Sequence, residues 1–145
     1  MAVRIFSFSL HISSPIAECL KGRPRPEPFE ADLEQVRFAV KLSEIRSGDV
    51  LMLASVSGRN RVPIELALAV QEIGGTVIGI TSLKYTAQVE SLHPSGKKLC
   101  DVADIVIDSC APFGDACLES EYYPHKVLPI SGVAHLVIGW MICAQ

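Results

Sequence analysis

The chain has 145 residues, 49% of them apolar and 20% charged, with a formal net charge of −3. That length suits one domain over residues 1–145, and that apolar content excludes a disordered chain. A mildly acidic balance argues against nucleic-acid binding and against polybasic attachment to a membrane.

Residues 1–10 hold a short apolar run and one basic residue, Arg4. A signal peptide needs a longer apolar region and a small-residue cleavage site, so this segment reads as a buried strand. Pro24, Pro26 and Pro28 then alternate with other residues, which excludes helix and predicts an extended connector. Leu33, Val36 and Val40, with Phe38, Leu42 and Ile45, recur at helical spacing and predict a helix over 33–45. Residues 49–54 form a short apolar run opened by Gly48-Asp49, which reads as a strand. Asn60 is a cap for the next helix, Pro63 is tolerated in its first turn, and Gly74-Gly75 stops it after Ile73. Residues 76–81 form a second strand, β-branched and apolar on both sides. A short helix over 97–102 precedes a third strand at 105–107.

Strands apolar on both faces, separated by helices, predict a mainly parallel sheet covered on both sides: an α/β three-layer sandwich. The last segment, 131–145, reads as a helix that is apolar nearly all round, and so is expected to be buried inside the domain or between subunits. Its apolar run is too short to cross a bilayer. The five cysteines (Cys19, Cys100, Cys110, Cys117, Cys143) are odd in number and show no CxxC pair, which is the usage of a cytoplasmic protein without a disulfide framework. The four histidines (His11, His93, His125, His135) form no HxxxH pattern. The expectation is therefore no metal and no cofactor.

The chemistry concentrates where the 49–54 strand ends directly in Ser55-Val56-Ser57-Gly58-Arg59-Asn60 and feeds a helix. In open parallel sheets, ligands bind beyond the carboxyl ends of the strands, and a helix N-terminus offers free N–H groups to an anion. Ser55 and Ser57 add hydroxyl donors, Gly58 permits close backbone approach, and Arg59 and Arg61 offer charge-assisted bonds. The same order of residues also fits an ordinary tight turn whose serines cap the helix. The loop lacks GxxxxGK[ST] and GxGxxG, so it is neither a Walker loop nor a dinucleotide fingerprint.

The stretch 48–82, with Ser55, Ser57, Gly58, Asn60 and Thr81-Ser82 at the marker positions, resembles the SIS (sugar isomerase) domain. The resemblance continues through His93-Pro94-Ser95-Gly96-Lys97, the 103–108 segment and Gly114-Asp115-Ala116, and is similar to stand-alone bacterial SIS proteins described as phosphosugar isomerases or phosphosugar-binding proteins. It implies a SIS-type, flavodoxin-like sandwich that binds a sugar phosphate and assembles as a homo-oligomer, a dimer or higher. Phosphate contacts then fall on Ser55, Ser57, Gly58, Arg59 and Asn60, and further substrate contacts on Ser13, Thr81, Ser82 and Ser131. In the family's first loop, of the type FGxGHSxxxAEE, the glycines fall on Ser9 and His11 and the histidine on Ile12, while Ser13, Ala17 and Glu18 match. The first loop is thus altered and the connection to the 33–45 helix shortened.

Moving a proton between adjacent carbons of an aldose or ketose phosphate needs a base and an acid. Glu18, Glu65 and His93 are the catalytic candidates. Glu65 reads first as a solvated residue on an exposed helix face and second as ligand-facing. His125 and Lys97 read as surface residues. Three functions remain open from sequence: an aldose–ketose isomerase, a non-catalytic sugar-phosphate sensor, and, by fold analogy alone, a nucleotide-binding flavodoxin-like protein. The altered first loop predicts better binding than turnover, because a displacement of about 1 Å in a catalytic group can cost roughly 100-fold in rate.

Overall fold

The computed structural model describes residues 33–144. The expected N-terminal strand, the altered first loop, the proline connector, Ser13 and Glu18 lie outside the described residues. The chain forms α1 (Leu33–Leu42), β1 (Val50–Ala54), α2 (Arg61–Ile73), β2 (Thr76–Thr81), α3 (Leu83–Thr86), α4 (Leu99–Val102), β3 (Ile105–Asp108), β4 (Ala116–Leu118), β5 (Val127–Pro129) and α5 (Ser131–Cys143). It is an α/β three-layer sandwich around a parallel sheet of order β1-β2-β3. An antiparallel hairpin, β4–β5, stands apart from that sheet.

On one face of the sheet, α1, α2 and α4 enclose the core. Val36 and Val40 of α1 stand one turn apart and meet Ile64, Ala67 and Val70 of α2, with Val77 of β2 and Leu99 and Val102 of α4. Leu51 and Leu53 of β1 pack against the same cluster. Because strand side chains alternate, Met52 points to the opposite face, where its methyl lies 3.8 Å from the Cβ position of Gly139 in α5. The α4 helix can approach β2 only because Gly79 has no side chain: a Cβ there would stand 2.8 Å from the Ala103 Cβ.

One expectation changes in the structure. Helix α1 ends at Leu42 rather than Ile45, because the Ser43 hydroxyl bonds back to the Val40 carbonyl (2.6 Å) and accepts from the Ile45 N–H (3.3 Å), which diverts the chain out of the helix. Val50 and Met52 of β1 and Ile105 and Val106 of β3 are exposed within the described chain. Helix α5 buries no residue within the described chain. Among the described residues, no helix is long and apolar enough to cross a membrane.

Candidate functional site at the carboxyl edge of the sheet

Parallel register brings the three strand ends to one edge, with Ala54 opposite Ile80 and Thr81 opposite Asp108. Each strand is followed at once by a serine: Ser55 after β1, Ser82 after β2 and Ser109 after β3. The loop from Ser55 to Asn60 is built from these ends. Its Ser55 N–H donates to the Ile80 carbonyl (2.9 Å), and its Val56 carbonyl accepts from the Ser82 N–H (3.0 Å). Its Gly58 carbonyl accepts from the Leu99 N–H (2.8 Å).

Gly58 has φ +60, in the left-handed region that favours glycine. A Cβ at that point would lie 2.9 Å from the Thr81 hydroxyl and 3.4 Å from both the Thr86 hydroxyl and the Leu99 Cβ. Glycine is therefore required twice over, by backbone conformation and by space.

Thr81 and Ser82 are wholly buried. The Thr81 hydroxyl lies 3.3 Å from the Val56 carbonyl, to which it donates, and 3.2 Å from the Thr86 hydroxyl. Thr86 in turn donates to the Ser57 carbonyl (2.9 Å). The Ser82 hydroxyl donates to the Ala111 carbonyl (2.6 Å) and accepts from the Tyr85 N–H (3.1 Å). These residues hold the loop from beneath. Ser131 bonds the Asp115 carboxylate through both its hydroxyl (2.6 Å) and its N–H (2.8 Å), at the start of α5.

The upper side of the loop is differently furnished. Asn60 takes the N-cap position of α2 in extended conformation, yet its side chain makes no capping bond. The first N–H groups of a helix have no partner within it, so those of α2 stay uncapped by Asn60. The hydroxyls of Ser55 and Ser57 are bonded to no other described residue. The Arg59 Nε is buried and likewise has no partner. Ser109, 8% exposed, buries its hydroxyl at the same edge with no partner among the described residues. The sequence reading missed Ser109; its position directly after an apolar strand, like that of Ser55, is the signal that marks it.

Glu65 is not on a solvated face. It is 4% exposed, and its burial follows from two partners distant in sequence. One carboxylate oxygen accepts from the Arg37 Nε of α1, and the other faces the His93 Nε2 at 2.8 Å. The His93 tautomer follows from its second nitrogen. The Ser95 backbone N–H donates to Nδ1 (3.2 Å), and an N–H cannot reverse its role, so Nδ1 is the acceptor and Nε2–H donates to Glu65. The Arg37 guanidinium also makes a two-pronged contact with Glu72 (2.8 and 3.1 Å). The Glu72 and Glu65 carboxylates raise its pKa above the ordinary arginine value, and Arg37 lowers that of Glu72. Glu65 and His93, both catalytic candidates in sequence, thus meet, but with both carboxylate oxygens engaged.

The segment 91–98 connects this pair to the loop. The Leu92 N–H donates to the Arg59 carbonyl (2.9 Å), and the Arg61 Nε donates to the Leu92 carbonyl (2.8 Å). Lys97 is exposed, while the Lys98 ammonium donates to the Thr86 carbonyl (2.8 Å).

A family model described as the SIS domain matches residues 25–82. The chain is 49% identical over 102 residues to a UPF0309 protein of Listeria innocua, which covers 70% of this chain and 41% of that protein. It is 38% identical over 127 residues to a UPF0309 protein of Caldanaerobacter subterraneus, covering 86% of this chain and 52% of the relative. A UPF0309 protein of Streptomyces coelicolor is 44% identical over 91 residues, with 63% and 36% covered. The chain spans about half, or less, of the length of these curated relatives.

Proposed function

We propose, from its match to the SIS-domain model and its similarity to bacterial UPF0309 proteins, that this chain binds a sugar phosphate, with the phosphate seated on the loop from Ser55 to Asn60. The observation that carries the reading is a set of donors in one loop that are unspent among the described residues: the buried Arg59 Nε, the Ser55 and Ser57 hydroxyls, and an α2 N-terminus that Asn60 leaves uncapped. A buried donor without a partner is costly, and an anion removes that cost. A simple helix cap would have used the Asn60 side chain.

Within this reading the chain is a binding protein before it is an isomerase. A general base needs a lone pair directed at the substrate proton. Both oxygens of Glu65 are engaged by Arg37 and His93 instead. Thr81 and Ser82 support the loop, and Ser55, Ser57, Gly58, Arg59 and Asn60 form its phosphate contacts.

Calorimetric titration of hexose, heptose and pentose phosphates, with nucleotides as controls, tests the proposal. Ser57→Ala removes a hydroxyl bond to an anion, so affinity should fall by about 1.5–3 kcal/mol. Equal affinities of wild type and Ser57→Ala would reduce the loop to a turn. Tight binding of nucleotides alone would favour the flavodoxin-like alternative. Proton exchange beside the sugar carbonyl in heavy water, followed by NMR, separates binding from turnover.

A further inference from the structure

We propose that the buried Glu65–His93 pair is a latch that positions the phosphate loop by pinning the 91–98 segment against it. The inference rests on the phosphate reading above and deepens it, moving Glu65 and His93 from proton transfer to positioning.

The contacts form a closed circuit. Glu65 sits on α2, directly after the loop. It accepts from His93 Nε2–H at 2.8 Å. The other ring nitrogen of His93 is fixed by the Ser95 N–H (3.2 Å) and the Ser95 hydroxyl (2.7 Å). Ser91 closes the base of the turn, accepting from the His93 N–H (3.1 Å) and donating to the Lys97 carbonyl (2.6 Å). The neighbouring residue, Leu92, is then held on both sides, by the Arg59 carbonyl of the loop and by the Arg61 Nε at the start of α2. Leu99 closes the circuit on the Gly58 carbonyl. The arginine carrying the orphaned Nε is therefore tethered through its own backbone to the residue beside His93.

Stability does not explain a glutamate in this place. Its neighbours in α2, Ile64, Leu66 and Ala67, are buried and apolar. Replacing a buried ionic cluster with apolar side chains is often neutral or stabilising. A carboxylate held at 5% exposure beside an equally buried histidine fits better as a device that fixes one geometry. Arg37 donates to the second Glu65 oxygen, and Glu72 fixes Arg37.

The test titrates inorganic phosphate and fructose 6-phosphate into wild type, His93→Ala and His93→Gln, with amide hydrogen exchange read at Leu92 and Leu99. His93→Ala should weaken both ligands by about tenfold or more and speed exchange at the Leu92 N–H. His93→Gln keeps a donor for Glu65 and an acceptor for the Ser95 N–H, and should recover much of the affinity. Unchanged affinity in a folded His93→Ala overturns the latch and leaves the phosphate reading standing. Absence of phosphate or sugar-phosphate binding by wild type overturns both. If His93→Ala does not fold, wild type decides: coupling is reciprocal, so saturating phosphate must slow exchange at Leu92, and an unchanged rate overturns the latch.

Discussion

Gly58→Ala probes how tightly the loop from Ser55 to Asn60 is built. A left-handed φ of +60 costs a non-glycine residue about 1–2 kcal/mol. Alanine recovers about 0.4–1 kcal/mol by restricting the unfolded chain. The new methyl would stand 2.9 Å from the Thr81 hydroxyl, which is itself pinned to Val56 and Thr86 and cannot swing away. Overpacking of that kind adds roughly 1–3 kcal/mol, for a net loss near ~3 kcal/mol. Gly96→Ala is the matched control, since Gly96 has φ +71 but nothing within 4 Å of its Cβ position. It carries the conformational term alone, about 1 kcal/mol. Urea unfolding of the two variants should therefore differ by about 2 kcal/mol, or roughly 6 °C in Tm. Gly58→Ala should also lose phosphate affinity, because relief of the contact requires the loop to lift. Equal destabilisation in the two variants would refute the claim that contact with β2 shapes this loop.

Thr81→Val preserves shape but removes the hydroxyl between Val56 and Thr86, and should cost about 1–2 kcal/mol in urea unfolding with a parallel loss of phosphate affinity. Burial lowers the His135 pKa, with the Asp115 carboxylate opposing the shift. The folded state thus binds fewer protons than the unfolded one, and stability should fall as pH drops below about 6.5. His135→Gln should flatten that decline in Tm between pH 8 and 5, and an unchanged slope would assign it elsewhere. On α5, Val133, Leu136, Val137, Trp140 and Met141 form an exposed stripe at helical spacing, with Trp140 69% exposed, so light scattering should show a dimer or larger assembly that Trp140→Asp weakens. A micromolar wild-type monomer would remove that expectation.

The loop and the elements flanking it were legible because local signals suffice there. An apolar run, a serine–glycine break and a capped helix pattern each act over a few residues, and β2 falls where its β-branched run does. Gly74 ends α2 in left-handed conformation, as its place after Ile73 implied. What stayed hidden depends on distant residues. Glu65 reads as solvated on its own helix, since its partners Arg37 and His93 each lie 28 positions away, in opposite directions. Hairpin β4–β5 escaped because strands of three residues are too short to show alternation. It also places Asp115, just before β4, and Leu128, within β5, at positive φ, which neither residue type signals. The exposed apolar residues of β1 and β3 escaped for a further reason: an apolar run reports that a strand is sticky, not which residues cover it.

The burial that hid Glu65 also bears on turnover. To act as a base, Glu65 must release at least one of Arg37 and His93 and turn an oxygen toward substrate. Breaking one hydrogen bond to a buried carboxylate costs about 1.5–3 kcal/mol. If that loss appears in the barrier, it slows proton abstraction by roughly 10- to 100-fold, since each 1.36 kcal/mol is tenfold. The same rigidity benefits an anion site, which gains when its donors are fixed before the ligand arrives. A network that penalises a mobile base while holding Arg59 in place suits recognition of a sugar phosphate more than its isomerisation. The two roles separate in one comparison: deuterium exchange into the sugar that survives Glu65→Gln but disappears in Glu18→Gln would place a working base in the N-terminal loop and leave Glu65 as support. Exchange abolished by Glu65→Gln, with sugar-phosphate affinity intact, would show that the carboxylate does swing free and that the latch is not its function.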